Sequence, residues 1–174
     1  MPGYVCPECG LAYDTINPPD AKVAIRSYPR RYRSALAGAL DADEGLVRRR
    51  PVPATWSALE YTVHVADLFE EFGAGFERMY EEDKPTITDL WDPDERVVSE
   101  RYNEQDPSLA LERLAAAAEA LAKVLDRVDA DSWGRTATFP WGERDLLTMT
   151  RNAVHEGSHH LRDVERVLES ARRR

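Results

Sequence analysis

The sequence predicts an all-α protein whose main domain is a four-helix bundle. Four long segments repeat apolar residues at the spacing of a helix, and no segment alternates apolar and polar residues as a half-buried strand does. Each helix therefore carries one apolar stripe, and a bundle is the simplest arrangement that buries four such stripes together. The connections differ in length, so we do not assume a simple up-and-down order.

The first helical segment extends from about Asp20 to Leu40. Pro29 lies inside it, and proline both lacks the backbone N–H and clashes with the preceding turn, so we expect it to kink or divide the helix. Residues 1–17 before this segment are rich in Gly, Pro and Cys and have no helical period. We therefore expect a short irregular N-terminal extension at 1–17 and a bundle domain at 18–174.

The second long helix has a clear start at Ser57. Glu60 follows three residues later, which is the pattern of a capping box, and the helix should end near Glu82. A long connection then covers 83–105. It contains one short predicted helix around 95–102.

The third and fourth long helices are also marked by their flanking residues. Asp106 and Pro107 supply an N-cap and a first-turn proline, and the alanine-rich run after them predicts a helix to about residue 128. A second connection, 129–143, contains several Gly and Pro breakers. The last helix should then extend over about 144–170.

Composition limits the classes of partner and the compartment. The formal net charge is −9, which disfavours binding to nucleic acid or to an anionic membrane. No apolar run approaches the length of a spanning helix, and no signal-peptide pattern opens the chain, so we expect a cytoplasmic protein. Two cysteines are too few for a disulfide framework.

The last helix contains three of the four histidines, in the stretch NAVHEGSHHLRDVERVL. His155 and His159 have the HExxH spacing of zinc proteases. On a regular helix, however, this pair lies nearly opposite the buried stripe. Glu156 and His160 are also four residues apart, and they fall on the edge of that stripe, where they could share a metal.

The remaining histidine, His64, lies on the apolar face of the second long helix. A single histidine on such a face is commonly a core residue with a hydrogen-bond partner. With Glu156 and His160 from another helix, it would instead complete a metal site of the kind that bundle cores build. Two imidazoles and a carboxylate suit Zn²⁺, Ni²⁺ or Fe²⁺ and leave coordination positions open. If the last helix is bulged or rotated, His155 and His159 would replace the pair.

Two of these segments resemble a known family. WSALEYTVH, which ends at His64, resembles the second helix of DinB-like proteins, and EGSHHLRDV resembles their last helix. Members of that superfamily are four-helix bundles with a divalent metal, held by one ligand from the second helix and an i, i+4 pair from the last. The mycothiol-dependent group is similar to Glu-x3-His followed by Asp, a pattern that falls here on Glu156, His160 and Asp163. The resemblance covers roughly 18–170.

The resemblance implies that His64, Glu156 and His160 bind a divalent metal, with Zn²⁺ favoured and Ni²⁺ or Fe²⁺ as alternatives. It implies an enzyme in which the metal activates a low-molecular-weight thiol, mycothiol by resemblance, for transfer to or isomerisation of a small electrophile. The catalytic candidates are these three ligands, with His159 or Asp163 orienting them. Two alternatives stay open: a metal-dependent hydrolase, and a non-catalytic metal-stabilised binding or stress-response module.

The extension contains the sequence CPECG, in which Cys6 and Cys9 have the spacing of half a zinc ribbon. Pro7 and Gly10 are residues that shape a tight sulfur-binding turn. Two further ligands are needed for a tetrahedral site. They could come from a second subunit, which would make a homodimer, or from an acid such as Asp14. A redox pair and two free thiols are the alternatives.

Overall fold

The computed structural model describes residues 3–173, so Met1, Pro2 and Arg174 of the expected extension and bundle lie outside the described residues. It confirms the predicted all-α four-helix bundle. The helices in chain order are α1 (Pro18–Ala42), α2 (Gly45–Arg48), α3 (Ala58–Glu81), α4 (Pro93–Ser99), α5 (Pro107–Arg127) and α6 (Leu146–Arg172). The four long ones, α1, α3, α5 and α6, form the bundle.

The long helices are not arranged in the order in which they follow one another. α1 and α3 each pack against both α5 and α6, so α1 and α3 lie across a diagonal of the bundle. In a simple up-and-down bundle, consecutive helices would be neighbours. The short helix α2 contacts α1, α3 and α6, and it carries the chain from one corner of the bundle to the opposite one.

The predicted helix starts are confirmed where the sequence supplied a cap. The Ser57 side chain accepts a hydrogen bond from the Glu60 backbone N–H, and the Glu60 carboxylate accepts one from the Ser57 backbone N–H, at 3.2 and 2.7 Å. The Asp106 carboxylate accepts from two backbone N–H groups of the first turn of α5. Both caps satisfy donors that have no partner within the helix.

The predicted break at Pro29 is wrong, because α1 continues through this residue. Two tyrosines on either side of the proline hold the helix against α6. The Tyr28 hydroxyl donates to the Val154 carbonyl at 2.8 Å, and the Tyr32 hydroxyl donates to the Gly157 carbonyl at 3.1 Å. Both side chains are fully buried. Packing of this extent offsets the cost of one missing backbone hydrogen bond.

The second connection contains a small hairpin that the sequence pattern did not predict. Strand β1 (Thr136–Phe139) pairs antiparallel with β2 (Gly142–Asp145), and Gly142 adopts a φ of +106° at the turn. Four-residue strands are too short to show a period of two beside Gly and Pro. The last helix consequently begins at Leu146 rather than near residue 144, with Asp145 as its N-cap.

The first connection is tied to this hairpin. Thr138 exchanges two backbone hydrogen bonds with residues Pro85 and Ile87, each 2.9 Å long. The short helix predicted around 95–102 is present as α4, which starts at Pro93, and a 3₁₀ turn follows at Tyr102–Glu104. Connection and hairpin together cover one end of the bundle.

The N-terminal extension packs against α6. It is irregular apart from one 3₁₀ turn, Tyr13–Thr15. The Tyr13 hydroxyl donates to Asn152 Oδ1 at 3.1 Å, and Arg151 Nε donates to the Ile16 carbonyl at 3.0 Å. The extension therefore packs along the side of α6 that carries Arg151 and Asn152. Among the described residues, no helix is both long and apolar enough to cross a bilayer.

Candidate metal centre

The inner face of α6 brings Glu156 and His160 toward His64 on α3. His160 Nε2 lies 3.2 Å from Glu156 Oε2, and the rings of His64 and His160 meet edge to face with their centroids 4.9 Å apart. His155 and His159 do not take part in this group. The difference in orientation between the two i, i+4 pairs is the one that helical periodicity predicted.

His64 has an unsatisfied atom that a metal would satisfy. Its Nδ1 is buried and has no hydrogen-bond partner, which is costly for a polar atom. Trp56 and Trp91 pack edge to face against its ring. Burial, followed by the nearby His160, lowers the pKa of His64 to about 4, so the imidazole is neutral and retains a lone pair for a cation.

His160 lies between two carboxylates. Its Nδ1 is 3.0 Å from Asp163 Oδ2, and its Nε2 faces Glu156. Burial alone would lower the pKa of His160, but hydrogen bonds to Asp163 and Glu156 raise it to about 9. Burial would likewise raise the pKa of Glu156, yet hydrogen bonds from His155 and His160 hold it well below its usual range. These surroundings favour a positive charge at the position that a cation would occupy.

The predicted ligands His64, Glu156 and His160 lie near one another, but their ligand atoms do not all lie within 4.8 Å of one another. Within residues 3–173, two groups bring three or more potential ligand atoms within 4.8 Å of one another. One group is Cys6, Cys9, His155 and His159, and the other is His159, His160 and Asp163. His64, Glu156 and His160, which would hold the predicted metal, form a looser set than these two groups.

A cavity of about 360 Å³ opens beside His64 and Glu156. Its volume lies within the range of pockets that hold small molecules. Most of its lining is apolar and comes from α3, the first connection, the hairpin and α6. The main apolar lining residues are Leu68, Phe72, Phe76, Ile87, Leu90, Trp91, Phe139, Trp141 and Met149. Trp91 of the first connection and Trp141 of the hairpin thus line the cavity wall.

Glu71 is a polar residue of this cavity that the sequence reasoning missed. It lies seven residues after His64 on α3, which is two helical turns along the same face, and this spacing could have identified it. Burial raises the pKa of Glu71 above its ordinary value, although Arg96 and Trp91 oppose the shift. A carboxyl with a raised pKa in the wall of this cavity is suited to accept a proton.

The outer face of α6 brings His155 and His159 to the two cysteines of the extension. His159 Nδ1 lies 3.6 Å from Cys6 Sγ, and His155 Nε2 is buried without a hydrogen-bond partner. Cys6 is buried, and Cys9 is partly buried. Both cysteines are free thiols. These contacts connect parts of the chain that are about 150 residues apart.

The turn that carries the cysteines is well defined. The Gly10 N–H donates to the Cys6 carbonyl at 2.8 Å, and Gly10 has a φ of +74°, which favours glycine. Burial would raise the pKa of the Cys6 thiol, but hydrogen bonds from the backbone of Cys9 and of Glu8, together with the nearby His155 ring, lower it to about 6. Burial raises the pKa of Cys9.

Two carboxylates connect the ligand groups on the two faces of α6. The inner group is His64, Glu156 and His160, and the outer group is Cys6, Cys9, His155 and His159. Glu156 Oε1 lies 3.2 Å from His155 Nδ1, while its Oε2 lies 3.2 Å from His160 Nε2. Asp163 Oδ2 lies 3.0 Å from His160 Nδ1 and 3.6 Å from His159 Nε2. His159 is not among the residues that line the cavity, and it contacts the inner group through Asp163 and the ring of His160.

The fold and this arrangement define a class: four-helix bundles in which side chains of two facing helices form a candidate metal centre beside a cavity. Within that class, the chain belongs to the DinB superfamily, whose sequence profile matches residues 27–164. The matched range includes His64, Glu156, His160 and Asp163, but not the cysteines. No protein of curated function matches the chain in sequence.

A solved structure with a similar fold is that of YfiT from Bacillus subtilis, described as a probable metal-dependent hydrolase with an unusual four-helix bundle topology. The TM-score is 0.78, and the similarity covers 99% of this chain and 91% of that chain. The sequences are 16% identical, so the likeness concerns the fold. The diagonal placement of α1 and α3 is a departure from the simple up-and-down order in the present chain.

Proposed function

We propose that this protein is a divalent-metal-dependent enzyme that activates a low-molecular-weight thiol for transfer to a small electrophile. The observation that carries the proposal is the position of His64 and Glu156 in the wall of an apolar cavity. A structural metal site is closed by protein ligands, whereas a catalytic one keeps a position open to substrate. Membership of the DinB superfamily supports a metal here.

The residues that would hold the metal are His64, Glu156 and His160, with Zn²⁺ as the first candidate and Ni²⁺ or Fe²⁺ as alternatives. A divalent cation at this point would supply the positive charge that lowers the pKa of a thiol bound to it. Asp163 would orient His160 through the contact at Nδ1, which leaves Nε2 directed at the site.

Glu71 would act as the general base. It accepts the thiol proton as the sulfur forms a bond to the electrophilic carbon, and the leaving group departs with its electron pair. The raised pKa of Glu71 brings it closer to neutral pH, where a general base is most effective. The aromatic walls of the cavity would bind the apolar part of the electrophile and exclude water from the thiolate.

The experiment is a thiol-transfer assay on metal-loaded protein. Mycothiol and other small thiols are offered with activated chloroarenes and conjugated acids, and thioether or isomerised products are measured by mass spectrometry. His64→Ala should abolish activity, and Glu71→Gln should lower kcat about 10²–10⁴-fold, the usual contribution of a general base. Glu70→Gln is the matched control, because the neighbouring Glu70 pairs with Arg113 on the surface.

A metal-dependent hydrolase is the second candidate, and the description of the YfiT structure favours it. The same residues would serve, with water in place of the thiol and Glu71 as its base. The assay separates the two, since a hydrolase forms product at the same rate without thiol. If the protein retains its metal but shows neither thiol transfer nor hydrolysis with any substrate tested, the result would instead favour the non-catalytic binding module. A cytoplasmic location and a homodimer remain expectations of the sequence.

A further inference from the structure

The outer group of α6 has the composition of a second metal site. Two thiol sulfurs and two imidazole nitrogens, one ligand atom from each of four residues, lie within 4.8 Å of one another. Two sulfurs and two nitrogens in a tetrahedral arrangement are the ligand set of structural zinc. In such a site, the bond lengths place ligand atoms about 3.3–3.8 Å apart. The 3.6 Å between Cys6 Sγ and His159 Nδ1 is in this range.

We propose that Cys6, Cys9, His155 and His159 form a tetrahedral Zn²⁺ site that fastens the N-terminal extension to the outer face of α6. This site is separate from the candidate centre in the bundle. It supplies the two ligands that the CPECG turn lacks, from the same chain, so that neither Asp14 nor a second subunit is needed to complete it.

The orientation of each imidazole supports the assignment. His155 Nδ1 faces Glu156 at 3.2 Å, which leaves its buried, partnerless Nε2 for the ion. His159 presents Nδ1 to Cys6 and turns Nε2 toward Asp163 and Glu8, at 3.6 and 3.8 Å. A metal-bound histidine normally has a carboxylate or carbonyl at its other nitrogen, and both histidines here have one.

The contacts around the turn fit a docking role. Glu8 lies between the two cysteines in the sequence. Arg166 Nη1 of α6 lies 3.3 Å from its carboxylate oxygen. The rings of Tyr13 and His155 are packed with their centroids 5.3 Å apart. Tyr13 and Arg151 supply the remaining hydrogen bonds between extension and helix. Residues 3–17 are too few to bury a core of their own, and a metal is a common way to hold a segment of this size.

The test is metal analysis of the full-length protein under reducing conditions, by mass spectrometry of the bound elements. The Cys6→Ser/Cys9→Ser variant should bind about one zinc ion per chain fewer than the wild type. Cys9→Ser alone should show the same loss of zinc. Asp14→Asn is the matched control, because Asp14 is an exposed acid of the same extension and is not one of the four ligands, and the zinc content of this variant should equal that of the wild type.

A second variant distinguishes the proposed zinc site from the candidate metal centre in the bundle. His64→Ala should keep the cysteine-dependent zinc whether or not the bundle centre binds metal, so the two proposals fail independently. Cobalt substitution gives a direct signature, since thiolate-to-cobalt charge-transfer absorption should appear in the wild type and in His64→Ala but not in the double cysteine variant. Circular dichroism checks that each variant remains helical.

A further readout applies to the wild type alone and does not depend on a variant folding. When a thiol-specific mercurial reagent is added, the amount of zinc released should increase in step with the modification of the Cys6 and Cys9 thiols. Hydrogen exchange at the Cys6 and Tyr13 amides, which are bonded to the Leu11 and Tyr4 carbonyls, should then accelerate. Equal zinc content in wild type and double variant would overturn the proposal. A Cys6–Cys9 disulfide in freshly reduced, zinc-treated protein would overturn it as well.

Discussion

His159 and His160 are consecutive in the chain, yet their side chains belong to different groups. His159 Nδ1 lies 3.6 Å from Cys6 Sγ on the outer face of α6, whereas His160 Nε2 lies 3.2 Å from Glu156 Oε2 on the inner face. Consecutive helical residues point about 100° apart, so a doubled histidine can serve two surroundings at once. Asp163 contacts both rings and connects the two groups.

Asp163→Asn should weaken metal binding at the bundle centre by about 10–100-fold, the usual effect of removing a carboxylate behind a metal-bound histidine. The carboxylate accepts a hydrogen bond from His160 Nδ1 and fixes the direction of Nε2. Competition with a chromogenic chelator, in the Cys6→Ser/Cys9→Ser background, measures this site alone. Glu165→Gln is the control, because Glu165 is exposed on the same helix. Equal affinities in the two variants would contradict the orienting role.

Gly157→Ala should destabilise the protein. A Cβ at this position would lie 2.5 Å from Tyr28 Cε2, and the tyrosine ring is fully buried and cannot move aside. Alanine gains about 0.5–1 kcal/mol over glycine inside a helix, but overpacking of a core costs about 1–3 kcal/mol. Denaturant unfolding should therefore show a net loss.

The control for this prediction is Gly73→Ala on α3, where the nearest atom to an added Cβ is Leu121 Cα at 3.9 Å. There the helical gain should appear without a clash, and the free energy of unfolding should rise. In a Tyr28→Leu background, which removes the clashing ring, Gly157→Ala should cost less stability than it does in the wild type. A stabilised Gly157→Ala variant would show that α1 and α6 are less closely packed than described.

The sequence predicted features that depend on neighbouring residues and on helical period. The caps at Ser57 and Asp106 are local, so they could be assigned without knowing the fold. The different orientations of His155 and Glu156 follow from the angle of about 100° between consecutive helical residues alone. The ligand roles themselves stay predictions until metal is measured.

The features that were missed depend on tertiary contacts. Continuation of α1 through Pro29 relies on tyrosine hydroxyls that reach α6, which no local pattern shows. The hairpin at 136–145 is short, and the Pro85 segment that pairs with it is distant in sequence. The contact between Cys6 and His159 joins the two ends of the chain, so the sequence alone left the partners of the cysteines open.

Asp67→Asn should cost about 1–3 kcal/mol of stability, the penalty for weakening hydrogen bonds to a buried charged acceptor. The Asp67 carboxylate is buried on α3 and accepts hydrogen bonds from Arg96 of α4 and from the Tyr102 hydroxyl. Arg113 Nη2 lies 2.6 Å from its other oxygen as an ion pair. The variant should also expose the 83–105 connection to protease.

The control for Asp67 is again Glu70→Gln, which removes a surface partner of the same Arg113. Exposed ion pairs contribute about 0–1 kcal/mol, so this variant should unfold close to the wild type and resist protease equally. Equal stabilities of the two variants would mean that the buried carboxylate does not anchor the connection.

Glu71→Gln should raise the melting temperature at neutral pH, and the gain should vanish in acid. Burial raises the pKa of Glu71 above its ordinary value of 4.5, so the folded state holds this proton more tightly than the unfolded state. Below pH 4.5 both states are protonated and the carboxyl costs nothing. As pH rises through the unfolded and then the folded pKa, the folded state must bury a carboxylate, and stability falls. Glutamine removes that cost, so the difference in melting temperature from the wild type should grow from near zero in acid to a plateau above the folded pKa.

Glu70→Gln should show no such growth, because Glu70 is exposed. A melting temperature of Glu71→Gln below that of the wild type at neutral pH would contradict the raised pKa. A stabilised variant that has lost thiol transfer would identify Glu71 as a residue kept for activity at the expense of stability.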